Sequence, residues 1–138
     1  MTKRPMVLFL CVHNAGRSQM AAAWLDHLAG GRVDTVSAGS EPADQVNPLA
    51  VQAMAEVGIE LAGTAPRRWT DAMIDSADVV ITMGCGDSCP VVPGKRYEDW
   101  DVADPHGADI GQVRMVRDEI EKRVRNLISQ LGAHPVPS

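Results

Sequence analysis

The chain has 138 residues, which suits one domain (1–138) with a single sizeable core and leaves little room for a second. Its formal net charge of −5 excludes a broad nucleic-acid or acidic-membrane footprint, which needs a basic face, although a small site can still be locally positive. Three cysteines, an odd number, argue for chemistry rather than for a disulfide framework.

In chain order, Lys3 and Arg4 before the apolar run Met6 to Val12 faintly resemble the start of a signal peptide. The run is short, and His13-Asn14 follow it without a small-residue cleavage site. Val7 to Leu10 read instead as a strand buried on both faces. No other segment has transmembrane length, so a cytoplasmic protein with no membrane partner is expected. From Arg17 the period changes: Met20, Trp24 and Leu28 form a helix stripe that stops at Gly30-Gly31. Val33 to Ala38 predict a second strand, which completes a βαβ unit.

Asn47-Pro48 is a helix start, since Asn caps free amides and Pro at the first position loses no hydrogen bond. That helix should run through Leu49, Val51, Met54 and Val57 to Gly58. Thr70 can cap a short helix over 71–76. Asp78 to Met83 and Arg96 to Trp100 predict two more strands. Ile110, Val113, Val116, Ile120, Val124, Leu127 and Leu131 then recur every three or four residues, a long amphipathic helix. Asp118/Lys122 and Glu121/Arg125 have the spacing of exposed ion pairs on it. The last seven residues read as a frayed tail. The alternation of strands and helices is that of an α/β fold with a small parallel sheet.

The stretch "FLCVHNAGRS" at 9–18 carries the chemistry. If the strand ends near residue 10 and the helix begins near 17, the loop can curl so that its backbone N–H groups converge. The helix N-terminus adds further amides and the positive end of its dipole. The oxyanion cradle would be Val12, His13, Asn14, Ala15, Gly16, Arg17 and Ser18, with Gly16 easing the curl. Arg17 at the rim could bond two anion oxygens through its planar fork. Cys11 would lie beneath the anion, favoured as thiolate by the helix end, the guanidinium and a Ser18 hydroxyl, and so activated for attack. A cysteine ending a buried strand is often only a small hydrophobe. The C-x5-R-S spacing by itself would arise near roughly one cysteine in a few hundred. The strand before it and the helix after it favour function. His13 suits substrate contact no better than a solvated or structural role.

"CVHNAGRSQM" resembles the anion loop of arsenate reductases built on the low-molecular-weight protein tyrosine phosphatase fold. The likeness extends to "SAGS" at 37–40, "VITMGCGDSCP" at 80–90 and "DWDVADP" at 99–105. It implies a four-stranded parallel sheet flanked by helices, with Cys11 and Arg17 at the mouth of the first strand. Asp104, before Pro105, matches the aspartate that acts as general acid in the phosphatase relatives.

Arsenate and phosphate have nearly the same shape and charge, so the cradle cannot choose between them. Cys85 and Cys89, after the strand at 78–83, favour a reductase, because a phosphatase has no need of them. The competing interpretation is two inert buried thiols. Structural zinc is disfavoured, since C-x3-C supplies two ligands where four are usual. A phosphotyrosine phosphatase would also carry tyrosines near the aspartate, whereas the single tyrosine is Tyr97 and Trp100 is nearer. In thioredoxin-coupled relatives a longer spacer separates the two relay cysteines. "MGCGDSCP" resembles the mycothiol-dependent group instead, which implies that mycothiol takes the arsenic from Cys11 and a mycoredoxin completes reduction. No bound cofactor is expected. The thioredoxin-coupled relatives also hold potassium with an acidic residue on the first helix. The matching position here is Ala22, so no metal is expected.

Overall fold

Alternation along the first strand decides how the layers stack. In β1 (Met6–Cys11), Val7, Phe9 and Cys11 join the core on one face of the sheet, and Leu8 and Leu10 join the core on the other. The computed structural model describes residues 4–61, 64–84 and 96–131. Its strands β1, β2 (Asp34–Gly39), β3 (Val79–Thr82) and β4 (Arg96–Asp99) form one parallel sheet in the order β2-β1-β3-β4. Parallel pairing requires crossovers, and the helices supply them: α1 (Arg17–Ala29), α2 (Pro48–Ala55), α3 (Asp71–Ser76) and α4 (Ile110–Gln130). Residues of α1, α2 and α4 fill the larger core, and Ile74 of α3 covers the opposite face. This is the four-stranded parallel sheet flanked by helices that the resemblance implies.

The sequence signals acted where expected. Gly30 ends α1 in the left-handed conformation at φ 58, which a side chain resists. Asn47 and Thr70 cap α2 and α3 by accepting from Leu49 and Met73 amides. α2 is shorter than expected, because a turn at 56–58 closes on Gly58 with φ 82. β4 stops at Asp99, and Trp100 packs its ring 5.8 Å from Phe9. No helix among the described residues is long and apolar enough to cross a membrane.

Two charge details on α4 bear on stability. Glu121 and Arg125 pair at 3.0 Å as expected, but Asp118 is engaged by its neighbour Arg117 at 2.8 Å rather than by Lys122. Glu56 at the end of α2 receives Arg114 at 2.7 Å and Arg117 at 2.9 Å, which ties α2 to α4. The hydrogen bond from Arg114 is the chief cause that holds the Glu56 carboxyl down at about 2. A carboxylate with a lowered folded-state pKa stabilises above its ordinary range and loses that contribution as it is protonated. Glu56→Gln should therefore melt a few degrees below wild type at neutral pH. The gap should be full above about pH 4.5 and close as pH falls toward 2. Thermal melts of both proteins across that range check this, and a gap that is independent of pH refutes it.

Candidate active site

From β1 the chain crosses first to β2 on one side and later to β3 on the other, so a crevice opens beyond the carboxyl end of β1. Cys11 is the last residue of that strand and Arg17 the first of α1. α1 begins unlike the other helices. Side-chain oxygens of Asn47, Thr70 and Asp109 cap α2, α3 and α4, whereas Gly16 has no side chain to offer. The first N–H groups of α1 are left for another acceptor.

The backbone of the loop is oriented by the segment that follows β2. The carbonyls of Cys11, Val12, His13 and Ala15 accept from the amides of Ser40, Glu41, Ala43 and Asn47 at 3.3, 2.8, 3.0 and 2.7 Å. Across a trans peptide each N–H points away from the preceding carbonyl, and no described bond is cis. The N–H groups of Val12, His13, Asn14 and Gly16 are thereby directed away from those amides of 40–47, which leaves them for an anion. The left-handed residue this curl requires is Asn14, at φ 50, rather than Gly16 at φ −138. Asn is among the few side chains that tolerate that region.

Below the loop lies a buried polar network. Asn14 donates to Ser18 Oγ at 2.7 Å and accepts from the Arg67 amide at 3.0 Å and from Gln19 Nε2 at 3.2 Å. Ser18 Oγ is 2.9 Å from Cys11 Sγ. Because Asn14 already donates to that hydroxyl, the Ser18 hydrogen is free to point at the sulfur. The side chains of Asn14 and Ser18 thus support the floor and do not line the cleft. Cys11, His13, Ala15, Gly16 and Arg17 do line it, in a cavity of about 810 Å³ whose other walls come from 41–48 and 104–107.

Arg17 is folded inward, 8% exposed, rather than standing at the rim. Its Nη1 donates to the Val102 carbonyl at 3.2 Å, and its Nη2 lies 3.5 Å from the half-exposed carboxylate of Asp104. Asp104 also accepts from the His106 amide at 3.0 Å. Two glycines permit these approaches. Gly84 has φ +74, and a Cβ there would lie 2.4 Å from Arg17 Nη1. A Cβ on Gly39 would lie 2.5 Å from the Val12 carbonyl and 3.0 Å from the Asn14 amide, which accounts for the glycine of "SAGS".

The fold thus brings Cys11, Arg17, Ser18 and Asp104 together. Cys85 and Cys89 lie outside the described residues. Trp100 is buried against Phe9 and Tyr97 packs on the opposite core, so neither ring stands in the cleft. Sequence reasoning missed Gln19, the Arg67 amide, the glycines at 39 and 84 as packing constraints, and the segment 40–47 that turns the carbonyls out. Their signals were glycines and polar residues far from the loop in sequence.

Residues 6–136 match the family described as low molecular weight phosphotyrosine protein phosphatase. A glutaredoxin arsenate reductase of Synechocystis sp. is 37% identical over an alignment of 129 residues that covers 91% of this chain and 98% of that protein. Among solved structures, the thioredoxin-dependent arsenate reductase Cg_ArsC1' of Corynebacterium glutamicum aligns with a TM-score of 0.83 at 44% identity. That alignment covers 93% of this chain and only 62% of the other. The YwlE arginine phosphatase from Geobacillus stearothermophilus aligns at 0.78 with 31% identity, over 93% of each chain. On the extent of the family match and the level of identity, the chain belongs to the low molecular weight phosphotyrosine protein phosphatase family.

Proposed function

We propose that the chain is an arsenate reductase whose single domain uses Cys11 as nucleophile. The observation that carries this reading is Cys11 Sγ on the floor of a curl whose carbonyls are turned outward, with the Ser18 hydroxyl 2.9 Å away. The loop amides of 12–18 and the Arg17 guanidinium hold the arsenate oxygens. The Cys11 thiolate forms a bond to arsenic, and an arsenate oxygen leaves with a proton from Asp104. Relatives named as arsenate reductases support arsenate as the substrate. Among the described residues, no phenylalanine, tyrosine or tryptophan lines the cleft for an aryl phosphate to stack on.

In this reading the adduct on Cys11 passes to a low-molecular-weight thiol, mycothiol. A mycoredoxin thiolate then attacks the sulfur of the thio-arsenate. Arsenic departs with the bonding pair as arsenite, and the two sulfurs form a mixed disulfide. The three residues between Cys85 and Cys89, with Gly84 and Pro90 on either side, support an external thiol, because they leave little chain to unwind for a relay. The thioredoxin-dependent relative favours a second reading, a disulfide cascade through Cys11, Cys85 and Cys89.

Arsenate turnover by wild type, Cys85→Ser and Cys89→Ser, with mycothiol and mycoredoxin or with thioredoxin, separates the two. Both variants should keep mycothiol-dependent turnover within about threefold, well short of the loss of a nucleophile. If wild type turns over with thioredoxin and Cys85→Ser is inactive with both reductants, the cascade is correct. Rapid p-nitrophenyl phosphate hydrolysis without thiol-dependent loss of arsenate would identify a phosphatase.

A further inference from the structure

His13 lines the cleft, and the first chemical step leaves it unused. Its Nδ1 lies 3.1 Å from the Glu41 carbonyl oxygen. A carbonyl only accepts, so Nδ1 carries the proton, and whenever the ring is neutral its lone pair lies on Nε2. Nε2 is on the far edge of the ring from Glu41, and the side chain is exposed. The ring of His106 faces it 6.2 Å away, centroid to centroid. One tetrahedral oxyanion leaves most of an 810 Å³ cleft empty, which gives room for a small organic molecule beside it.

An entering thiol must lose a proton before it can attack. Among the described residues, the titratable and charged groups around His13 are Glu41 and Asp44 from one wall, Asp104 and His106 from the other, and Cys11 and Arg17 from its own loop. Cys11 is bonded to arsenic at that stage, Arg17 is a fixed cation, and Asp104, a carboxylate once its proton has gone to the leaving oxygen, stands 3.5 Å from Arg17. Carboxylates are ordinarily too weak as bases for a thiol at neutral pH, whereas an imidazole is well matched. Of the two imidazoles, His13 is the one whose tautomer is fixed with the basic nitrogen away from the backbone.

We propose that His13 is the general base of the second half-reaction and takes the thiol proton on Nε2. This rests on the arsenate reductase reading with an external thiol. The thiol gives its proton to Nε2, and its sulfur forms a bond to arsenic as the bond from Cys11 to arsenic breaks. Cys11 departs as thiolate, bonded by Ser18. Arsenic stays pentavalent, so nothing is oxidised or reduced in this step, and the imidazolium returns its proton to water.

His13→Asn tests the assignment, because the amide keeps an N–H for the Glu41 carbonyl and supplies no base; His13→Gln serves if that variant fails to fold. Phosphate affinity and the single-turnover rate of adduct formation on Cys11 should fall much less than the constant for the thiol, because what His13 gives the cradle is its backbone amide. The kcat/KM for mycothiol should fall about 10²-fold at pH 7. Between pH 7 and 8 the constant of the variant should climb about tenfold as the thiol ionises unaided, more steeply than that of wild type. Added imidazole should restore part of the loss. A variant with wild-type kcat/KM for mycothiol overturns the proposal, as does one whose phosphate affinity falls in parallel. If wild type turns over arsenate with thioredoxin alone, or reduces one equivalent by forming a disulfide between its own cysteines, the underlying reading fails and the base with it.

Discussion

Cys11→Ser is expected to reduce no arsenate with any reductant, at least about 10³-fold below wild type. The hydroxyl that replaces the thiol is not ionised at neutral pH, and oxygen is a poor partner for the thiol exchange that must follow. The cradle itself should survive. The side chain is buried at 3% exposure, the substitution is nearly isosteric, and Ser18 Oγ at 2.9 Å can bond the new hydroxyl as it bonds the sulfur. Phosphate should therefore bind within a few-fold of wild type while turnover is lost, the pattern of an interaction used in the reaction rather than in binding. Titration calorimetry with phosphate alongside arsenate turnover checks both halves. Residual turnover above a tenth of wild type would remove Cys11 from the reaction.

Arg17→Lys should lower kcat/KM for arsenate by about 10²- to 10³-fold, the loss found when one donor to a developing oxyanion is removed. The charge is kept, so charge alone cannot rescue it. The guanidinium meets the Val102 carbonyl at 3.2 Å and the Asp104 carboxylate at 3.5 Å while its remaining N–H groups stay available to the cradle. A lysine ammonium gathers its three donors on one atom and lacks the planar fork, so it cannot reach the carbonyl, the carboxylate and the oxyanion at the separate positions that the guanidinium nitrogens occupy. The same substitution also loosens Asp104, so the rate constant for adduct formation should fall together with phosphate affinity. Single-turnover kinetics with phosphate titration separate the two effects. A Lys variant with wild-type affinity and rate would show that the guanidinium only braces the loop.

The local elements were legible because each announces itself within a few residues. The apolar run of β1, the four-residue stripe of α1 ending at Gly30, and the Asn47-Pro48 and Thr70 starts all appear in place. So did the ends of the site, Cys11 and Arg17. What joins them was not legible, since it is made by partners far apart in the chain. Asn14 reaches the Arg67 amide 53 positions away, and Arg17 reaches Val102 across 85. No periodicity encodes such pairs. The outward turn of the loop carbonyls depends on 40–47, a stretch with no apolar period. The Asp118/Lys122 pair failed for a more local reason: Arg117, adjacent in sequence, presents a fork that bonds the same carboxylate. For His13, the deciding fact was the Glu41 carbonyl at its ring nitrogen, which only the folded backbone could place.

Gly84 has no room for a methyl group because the guanidinium of Arg17 occupies that space. The two positions are therefore not free to vary independently among related chains: a residue larger than glycine at 84 requires a shorter or displaced side chain at 17. A library randomised at both codons and selected for growth on arsenate should return glycine and arginine as a pair. Survivors carrying alanine at 84 should be rare wherever arginine is retained.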